Sequence, residues 1–339
     1  MNKNAVLLVN LGTPDSPKVK DVRKYLFEFL NDNRVIDIPS LLRFLLVNFI
    51  IVLFRAPNSA KLYKKLWKDD GSPLLSYSIS LKDKLQNTLG NDFDVYLAMR
   101  YQNPSLKDVL SKIKEKNYTR LIVLPLFPQY SSATTGSVNQ KVMEIIKSWW
   151  VIPEVIFINE FYDDEGFISA LVEVGKKYPL NKYDHILFSY HGLPNRQVDK
   201  SYTDGKSCKS CECENYYRPE FKYCYKASCY QTTRLLAKSL QIPEHKYTVC
   251  FQSRLDKEWL EPFSDEVLIN LAKNGAKKVL VFSPAFVADC LETLIEIGYE
   301  YQKIFSQNGG ETVHLVESLN DHPLWIEALK NIIQKAANK

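Results

Sequence analysis

The sequence predicts an α/β protein made of two similar halves, each a parallel sheet flanked by helices. Eight short runs rich in Val, Ile, Leu and aromatics punctuate the chain, in two sets of four. Helix-like stretches lie between most of them. Strands that alternate with helices pack as parallel sheets with helices on both faces. The halves show no close sequence identity, so the duplication is one of architecture.

Taken in order, the first set of strands is expected at 5–11, 93–101, 120–130 and 154–162, with helices at 105–116 and 136–150. The second set is expected at 185–194, 247–255, 277–286 and 312–319, with helices at 231–240, 264–274 and 291–305. A final helix is expected over 323–337. A chain of 339 residues suits two domains of ordinary size. With 45% apolar and 24% charged residues it can bury a core. The net charge of +5 is small and the lysines are dispersed, which excludes the concentrated basic face of a nucleic-acid binder.

The apolar run at 5–11 ends in Gly12–Thr13–Pro14 and reads as a buried first strand, not a signal peptide. The cytoplasm is therefore the expected compartment, where clustered cysteines hold metal sooner than disulfides. SLLRFLLVNFIIVLF (40–54) is interrupted by Arg43 and Asn48 and falls short of the ~20 residues that span a bilayer. Two readings stand: a buried core helix, or an apolar lip for a bilayer or a greasy ligand.

Ligands of open parallel sheets sit outside the carboxyl ends of the strands. Those ends fall at 10–13, 100–101, 128–135, 191–194, 252–254 and 284–292. No glycine-rich dinucleotide or triphosphate motif accompanies them. In SYHGLP, His191 follows an apolar strand, and Gly192 and Pro194 force a turn. A histidine there serves as a base, a metal ligand or a strand cap. Glu292 and Glu296 are four apart and share a helix face with Asp289, as a cation track or as charges favoured at a helix N-terminus. Glu292 sits among Leu291, Leu294 and Ile295, where desolvation shifts a carboxyl toward proton transfer. Tyr101, Phe127, Tyr130, Trp259 and Phe286 lie at or near strand ends and together can wall a pocket for a flat, apolar ligand.

Five of the seven cysteines fall in CKSCECENYYRPEFKYCYKASC, spaced C-x2-C-x-C-x10-C-x4-C. Four thiolates can hold zinc or a [2Fe–2S] cluster. Zinc favours two separated pairs, and the clustering fits that poorly. A reduced loop without metal is the remaining reading.

VNLGTPDSP (9–17), FLNDNRVIDIP (29–39), GSPLLSYS (71–78), PLFPQYSSATTGS (125–137), SYHGLP (189–194), FQSRLDKEWLEP (251–262) and DCLETLIEI (289–297) together resemble the ferrochelatases, over nearly the whole chain. These enzymes insert ferrous iron into a porphyrin to make haem. The resemblance implies two Rossmann-like domains of the chelatase fold, 1–163 and 164–321, with the porphyrin between them. It also implies a last helix, 322–339, packed on the first domain and a cysteine-rich insert at 206–230 in the second. It places the active-site histidine on His191, the glutamate on Glu292, an outer acidic residue on Glu296 and a porphyrin-contacting tyrosine on Tyr101. Asp289 joins the expected iron or proton path. Asn10, Leu11 and Arg34, from the matching stretches, join Phe127, Tyr130, Trp259 and Phe286 as expected porphyrin contacts. Some relatives have a histidine where this chain has Cys290.

Some bacterial members resemble this chain in carrying a [2Fe–2S] cluster on an internal cysteine-rich segment. Cys208, Cys211, Cys213 and Cys224 are the expected ligands, with Cys229 as the alternative. The expected activity is that of a lyase, insertion of Fe²⁺ into protoporphyrin IX in the last step of haem synthesis. The alternatives are coproporphyrin III, or a non-catalytic haem-binding or [2Fe–2S] sensor on the same fold. Expected partners are the porphyrin, ferrous iron, and peripherally the inner face of the cytoplasmic membrane or the preceding pathway enzyme. No nucleic acid is expected, and the chain is expected as a monomer or homodimer.

Overall fold

Ala5–Val9 are completely buried, as a strand must be when helices cover both faces of its sheet. This strand, β1 (Asn4–Gly12), is central in a parallel sheet with β2 (Phe93–Tyr101), β3 (Arg120–Pro125) and β4 (Glu154–Phe157), in the order β2-β1-β3-β4. A second parallel sheet holds β5 (His185–His191), β6 (Tyr247–Gln252), β7 (Lys278–Phe282) and β8 (Thr312–Leu315), in the order β6-β5-β7-β8. The predicted α/β class, with two sets of four parallel strands, is what the chain adopts. Several strands end earlier than the apolar runs suggest. β3 stops at Pro125, and β5 stops at His191, before Gly192 and Pro194. The remaining apolar residues belong to the loops that follow.

The structure, a computed structural model, describes residues 3–202, 207–208 and 211–338. Lys206, Lys209 and Ser210 of the predicted insert lie outside the described residues. The chain divides into two compact units. One comprises the residues up to Phe127, Ser132–Asn159 and the stretch from Trp325 onward; the other comprises Pro128–Ser131 and Glu160–Leu324. In the first unit, Leu7, Val9, Leu110, Val123 and Val142 form one core layer. The last helix, Pro323–Ala337, buries Trp325, Leu329 and Ile333, and Arg120 reaches the Ala337 carbonyl. In the second unit, Leu187, Leu268, Val281, Ile297 and Phe305 form a corresponding layer.

Beyond β1 in sequence, Ser40–Leu66 is one long helical stretch with a π turn at Val47–Ile51. Val47, Val52, Ala56, Ala60 and Tyr63 are buried, and Tyr63 meets Tyr25 of the helix Val19–Leu30 edge-on at 6.3 Å. The other face is exposed: Leu41, Leu42, Phe44, Phe49, Ile50 and Phe54 all lie open, Phe54 by 74%. The reading of 40–54 as a buried core helix therefore fails. Apolar content does not distinguish a helix under the core from one lying outside it, and here only one face packs.

Candidate functional site

His191 closes β5 in register with Gln252 at the end of β6. The turn that follows depends on Gly192. Its amide donates to the Gln252 carbonyl at 2.8 Å, and a Cβ there would stand 2.8 Å from that oxygen and 3.2 Å from Trp259. Pro194 pairs with Trp259 in an isolated bridge, which sets the indole beside the histidine. The His191 ring lies 6.5 Å from Trp259 and 6.4 Å from Phe286. Its Nδ1 is 2.7 Å from the Gly192 carbonyl oxygen. A carbonyl only accepts, so Nδ1 carries the proton and the neutral ring keeps its lone pair on Nε2. The Tyr225 hydroxyl donates to the His191 carbonyl at 2.9 Å.

Gln252 joins this strand end to the acidic helix. Its side-chain oxygen accepts from Ser189, and its nitrogen donates to the Glu292 carbonyl at 3.1 Å and to the Glu296 carboxylate at 3.0 Å. Glu296 further accepts from the Ser253 amide at 2.8 Å, the Ser253 hydroxyl at 2.5 Å and the Tyr301 hydroxyl at 3.2 Å. Burial, and then the Glu296 charge, push the Tyr301 phenol up, so it stays a donor. Ser253 holds φ at 63°, a left-handed conformation uncommon for serine.

The acidic helix starts at Leu291 and is π-type to Tyr301, capped by Cys290 with Thr293. Asp289 therefore precedes it and is not on the stripe with Glu292 and Glu296. Its buried carboxylate accepts from the Asn320 side chain at 2.9 Å, the Ser318 amide at 3.2 Å and the Thr293 hydroxyl at 3.4 Å. These contacts make it an anchor for the helix start. Burial first, then the Glu292 charge and a hydrogen bond to its side chain, push the Cys290 thiol up, so it faces Glu292 protonated.

The first unit holds the other expected porphyrin contacts. Tyr101 is fully buried, its hydroxyl donating to Asp32 at 2.9 Å and its ring against Phe29 and Arg100. It offers no free face, which corrects the expectation that it lines a pocket. Burial alone would raise the Asp32 carboxyl. Hydrogen bonds from Ser137 and the Arg34 amide, and the Arg100 charge at 2.5 Å, hold it below the usual carboxylate range. Asn10 is likewise buried, with its amide on Ser78 and its oxygen on the Leu11 amide. Leu11 and Phe127 are half-buried. The Arg34 guanidinium binds Gln140 and Ser132 at 2.6 and 2.8 Å. Tyr130, in the second unit, meets Tyr223 edge-on at 5.5 Å.

The cysteine segment forms a separate place in the second unit. Cys208, Cys211, Cys213, Cys224 and Cys229 are all buried. The Cys211 thiol contacts those of Cys208, Cys213 and Cys224, and Cys224 also contacts Cys208 and Cys213. Hydrogen bonds from Cys208, Cys213 and Cys224 pull the Cys211 thiol down toward the thiolate. Tyr202 donates to the Cys224 sulfur at 2.9 Å, and Arg234 and Lys226 bind the chain at Cys213–Glu214. The Glu214 carboxylate lies within 4.8 Å of the Cys211 and Cys213 sulfurs. Cys229, one turn into the helix Tyr225–Ser239, turns its thiol to Tyr225. Four clustered thiols with a hydroxyl, an amide and a cation around them fit a bound cluster or metal; Cys229 stands apart by its partner.

Gln252, Ser253, Tyr301 and Tyr225 escape the sequence reading. The strand-end rule includes 252–254, but a neutral amide and hydroxyls carry no chemical signature until their partners are visible.

A strand-end histidine, aromatic neighbours and an acidic helix, in a fold of two four-stranded parallel sheets, define a chelatase-like α/β protein. Solved structures share this fold: SirB from Bacillus subtilis with Fe³⁺ has a TM-score of 0.56 at 13% identity, covering 99% of this chain and 96% of its own. The sirohydrochlorin chelatase SirB from Bacillus subtilis subspecies spizizenii in complex with cobalt gives 0.55 at 14% identity, covering 99% and 96%. The match to ferrochelatase as a family runs over residues 3–337. A ferrochelatase of Coxiella burnetii (strain Dugway 5J108-111) is 45% identical, covering 99% of this chain and 94% of its own. One from Legionella pneumophila (strain Lens) is 42% identical, covering 98% and 99%. The chain belongs to the ferrochelatase family. It is a metal-inserting lyase of haem synthesis.

Glu160 gives a test of the electrostatics around the insert. One of its carboxylate oxygens is buried without a hydrogen-bond partner, and Lys222 and Asp163 are its charged neighbours. Burial pushes its pKa up to about 7. A carboxyl raised in the folded state adds stability that is full below its unfolded pKa of ~4.3 and is lost as pH rises through about 7. Glu160→Gln is therefore expected to match the parent at pH 4.5 and to exceed it at pH 8. Discounted for its exposed part, the gain is about 1–2 kcal/mol. Urea unfolding at the two pH values reads this out, and equal stability at pH 8 would refute it.

Proposed function

We propose that the chain inserts Fe²⁺ into protoporphyrin IX and that the strand-end group of the second unit carries the bond-making step. The observation that supports this most is the His191 ring, fixed through Nδ1 to the Gly192 carbonyl and flanked by Trp259 and Phe286. Insertion replaces two pyrrole N–H bonds with metal–nitrogen bonds, so two protons leave as the ion enters. Nε2 of His191 accepts a pyrrole proton. The imidazolium that forms keeps its Nδ1–H bond to the Gly192 carbonyl, so the ring need not turn. The flanking rings hold the macrocycle out of plane, a distortion worth ~1–5 kcal/mol that exposes the nitrogen lone pairs.

Glu292 and Glu296 form the path for the ion or the departing protons. Glu296 is fixed by four donors and gives that path a rigid station. Glu292, one turn earlier, takes its orientation from Gln252 at its carbonyl and Cys290 at its side chain. Asp289 supports the helix from behind. His191→Ala is expected to lower insertion 10²–10⁴-fold with the fold intact, read in an anaerobic assay with Fe²⁺. Protoporphyrin is expected to outpace coproporphyrin in that assay. Preference for coproporphyrin would move the reading to the tetracarboxylate substrate, and undiminished turnover by His191→Ala would end the role of the histidine.

Cys208, Cys211, Cys213 and Cys224 are the residues that would hold a [2Fe–2S] cluster. A cluster there supplies one-electron redox capacity and cross-links the insert. The thiol contacts support these four over Cys229. Cys208→Ser is expected to remove visible absorption and acid-labile sulfide, while Cys229→Ser keeps both. Retention by the first variant and loss by the second would reverse the assignment.

The exposed apolar face of Ser40–Leu66 supports a cytoplasmic enzyme that rests peripherally on a bilayer, where its hydrophobic substrate resides. The Phe49→Asp/Phe54→Asp double variant is expected to lose at least tenfold in binding to lipid vesicles by sedimentation. Unchanged binding would leave that face without a lipid role.

A further inference from the structure

The first turn of the helix Tyr225–Ser239 touches both places that the proposed chemistry keeps separate. Its N-cap is Cys224, whose sulfur accepts from the Ala227 amide at 3.4 Å and from the Tyr202 hydroxyl at 2.9 Å. The next residue is Tyr225. Its ring is buried against Cys229, and its hydroxyl donates to the His191 carbonyl at 2.9 Å. One peptide bond thus separates a clustered thiol from a side chain that grips the end of β5.

That grip falls where it controls the imidazole. The peptide between His191 and Gly192 is held from two sides, with its carbonyl on Tyr225 and its amide on the Gln252 carbonyl. The following carbonyl, that of Gly192, receives Nδ1 of His191 at 2.7 Å. The two bonds on that peptide fix ψ of His191 and φ of Gly192, the torsions that set the Gly192 carbonyl against the imidazole; loosening them frees the ring to take either tautomer. The His191 carbonyl can only accept, so the Tyr225 hydroxyl is the donor of this bond.

We propose that Tyr225 is a positioning residue for His191, and that the seating of Cys224 among its neighbouring thiols governs how firmly Tyr225 acts. The inference rests on His191 being the proton acceptor. It adds that the tautomer of that histidine is set from the helix which the cysteine segment caps. The geometry gives this phenol a structural reason to be a tyrosine: phenylalanine would keep the packing and lose the bond to the turn.

The test uses the full-length protein, with Tyr225→Phe compared with the parent in insertion and in the ¹⁵N spectrum of the histidine side chains. The chain has five histidines, so His191 is assignable by difference with His191→Ala. The parent should show His191 as the Nδ1–H tautomer. Tyr225→Phe should show a mixture of tautomers, a roughly tenfold lower kcat, since one lost hydrogen bond is worth about a factor of ten, and a KM for porphyrin within twofold. Parent protein stripped of iron and sulfide should move toward the same mixture. An unchanged His191 signature and kcat in Tyr225→Phe would overturn the inference, even if its thermal midpoint falls. A stripped parent with an unmoved signature would overturn the link to the thiols.

Should Tyr225→Phe fail to fold, 3-fluorotyrosine at position 225 preserves both ring and hydroxyl. Its ¹⁹F signal should shift when His191 is replaced by alanine and when iron and sulfide are stripped, and a signal unmoved by both would refute the coupling. His191→Ala separates the two levels. If it retains full turnover, the reading of the site fails. If it is inactive while Tyr225→Phe is unaltered, only the positioning role fails.

Discussion

The second unit's site depends on the side chain of Gln252. This amide is buried at the end of β6, receives the Ser189 hydroxyl on one side, and on the other gives its protons to the Glu292 carbonyl and the Glu296 carboxylate. Its backbone is in register with His191 and its carbonyl receives the Gly192 amide. The histidine turn and the acidic helix are therefore referred to a single buried residue on a strand covered on both faces. A buried amide that satisfies three groups at once leaves its neighbours little freedom to rearrange.

The first unit solves a similar problem with a charge. Asp32 gathers Arg100, Tyr101, Ser137 and the Arg34 amide. The cost of burying the carboxylate is offset because its acceptors are filled, the condition under which a buried ion survives. Tyr101 is then committed to the interior. The tight junction of Gly12 with β2 enforces this placement. Gly12 holds φ at 114°, and a Cβ there would fall 2.0 Å from the Tyr101 carbonyl oxygen. A side chain at that position cannot be accommodated without parting the two strands.

The cysteine segment belongs to a different layer of the design. Among the described residues its contacts run to Tyr202, Lys226 and Arg234. What connects it to the strand ends is the helix it caps, and the connection passes through hydrogen bonds to the backbone. The same helix carries Tyr225, whose hydroxyl donates to the His191 carbonyl.

The sequence alone determined the α/β class, the two sets of four strands and the place of His191. Apolar runs of strand length are a local property, and so is a turn forced by Gly192 and Pro194. It also determined the cysteine spacing, and the family through stretches such as SYHGLP and DCLETLIEI. Tertiary structure decided the rest. Asp289 reads as part of an acidic stripe in the sequence, because its partner, Asn320, lies 31 residues away. Tyr101 reads as a wall residue in the sequence, because Asp32 is 69 residues distant. Periodicity does not say whether the apolar helix Ser40–Leu66 faces a core or lies open, since the composition is the same in both cases. Gln252 and Tyr225 are neutral, and their roles consist entirely of the groups that folding brings to them.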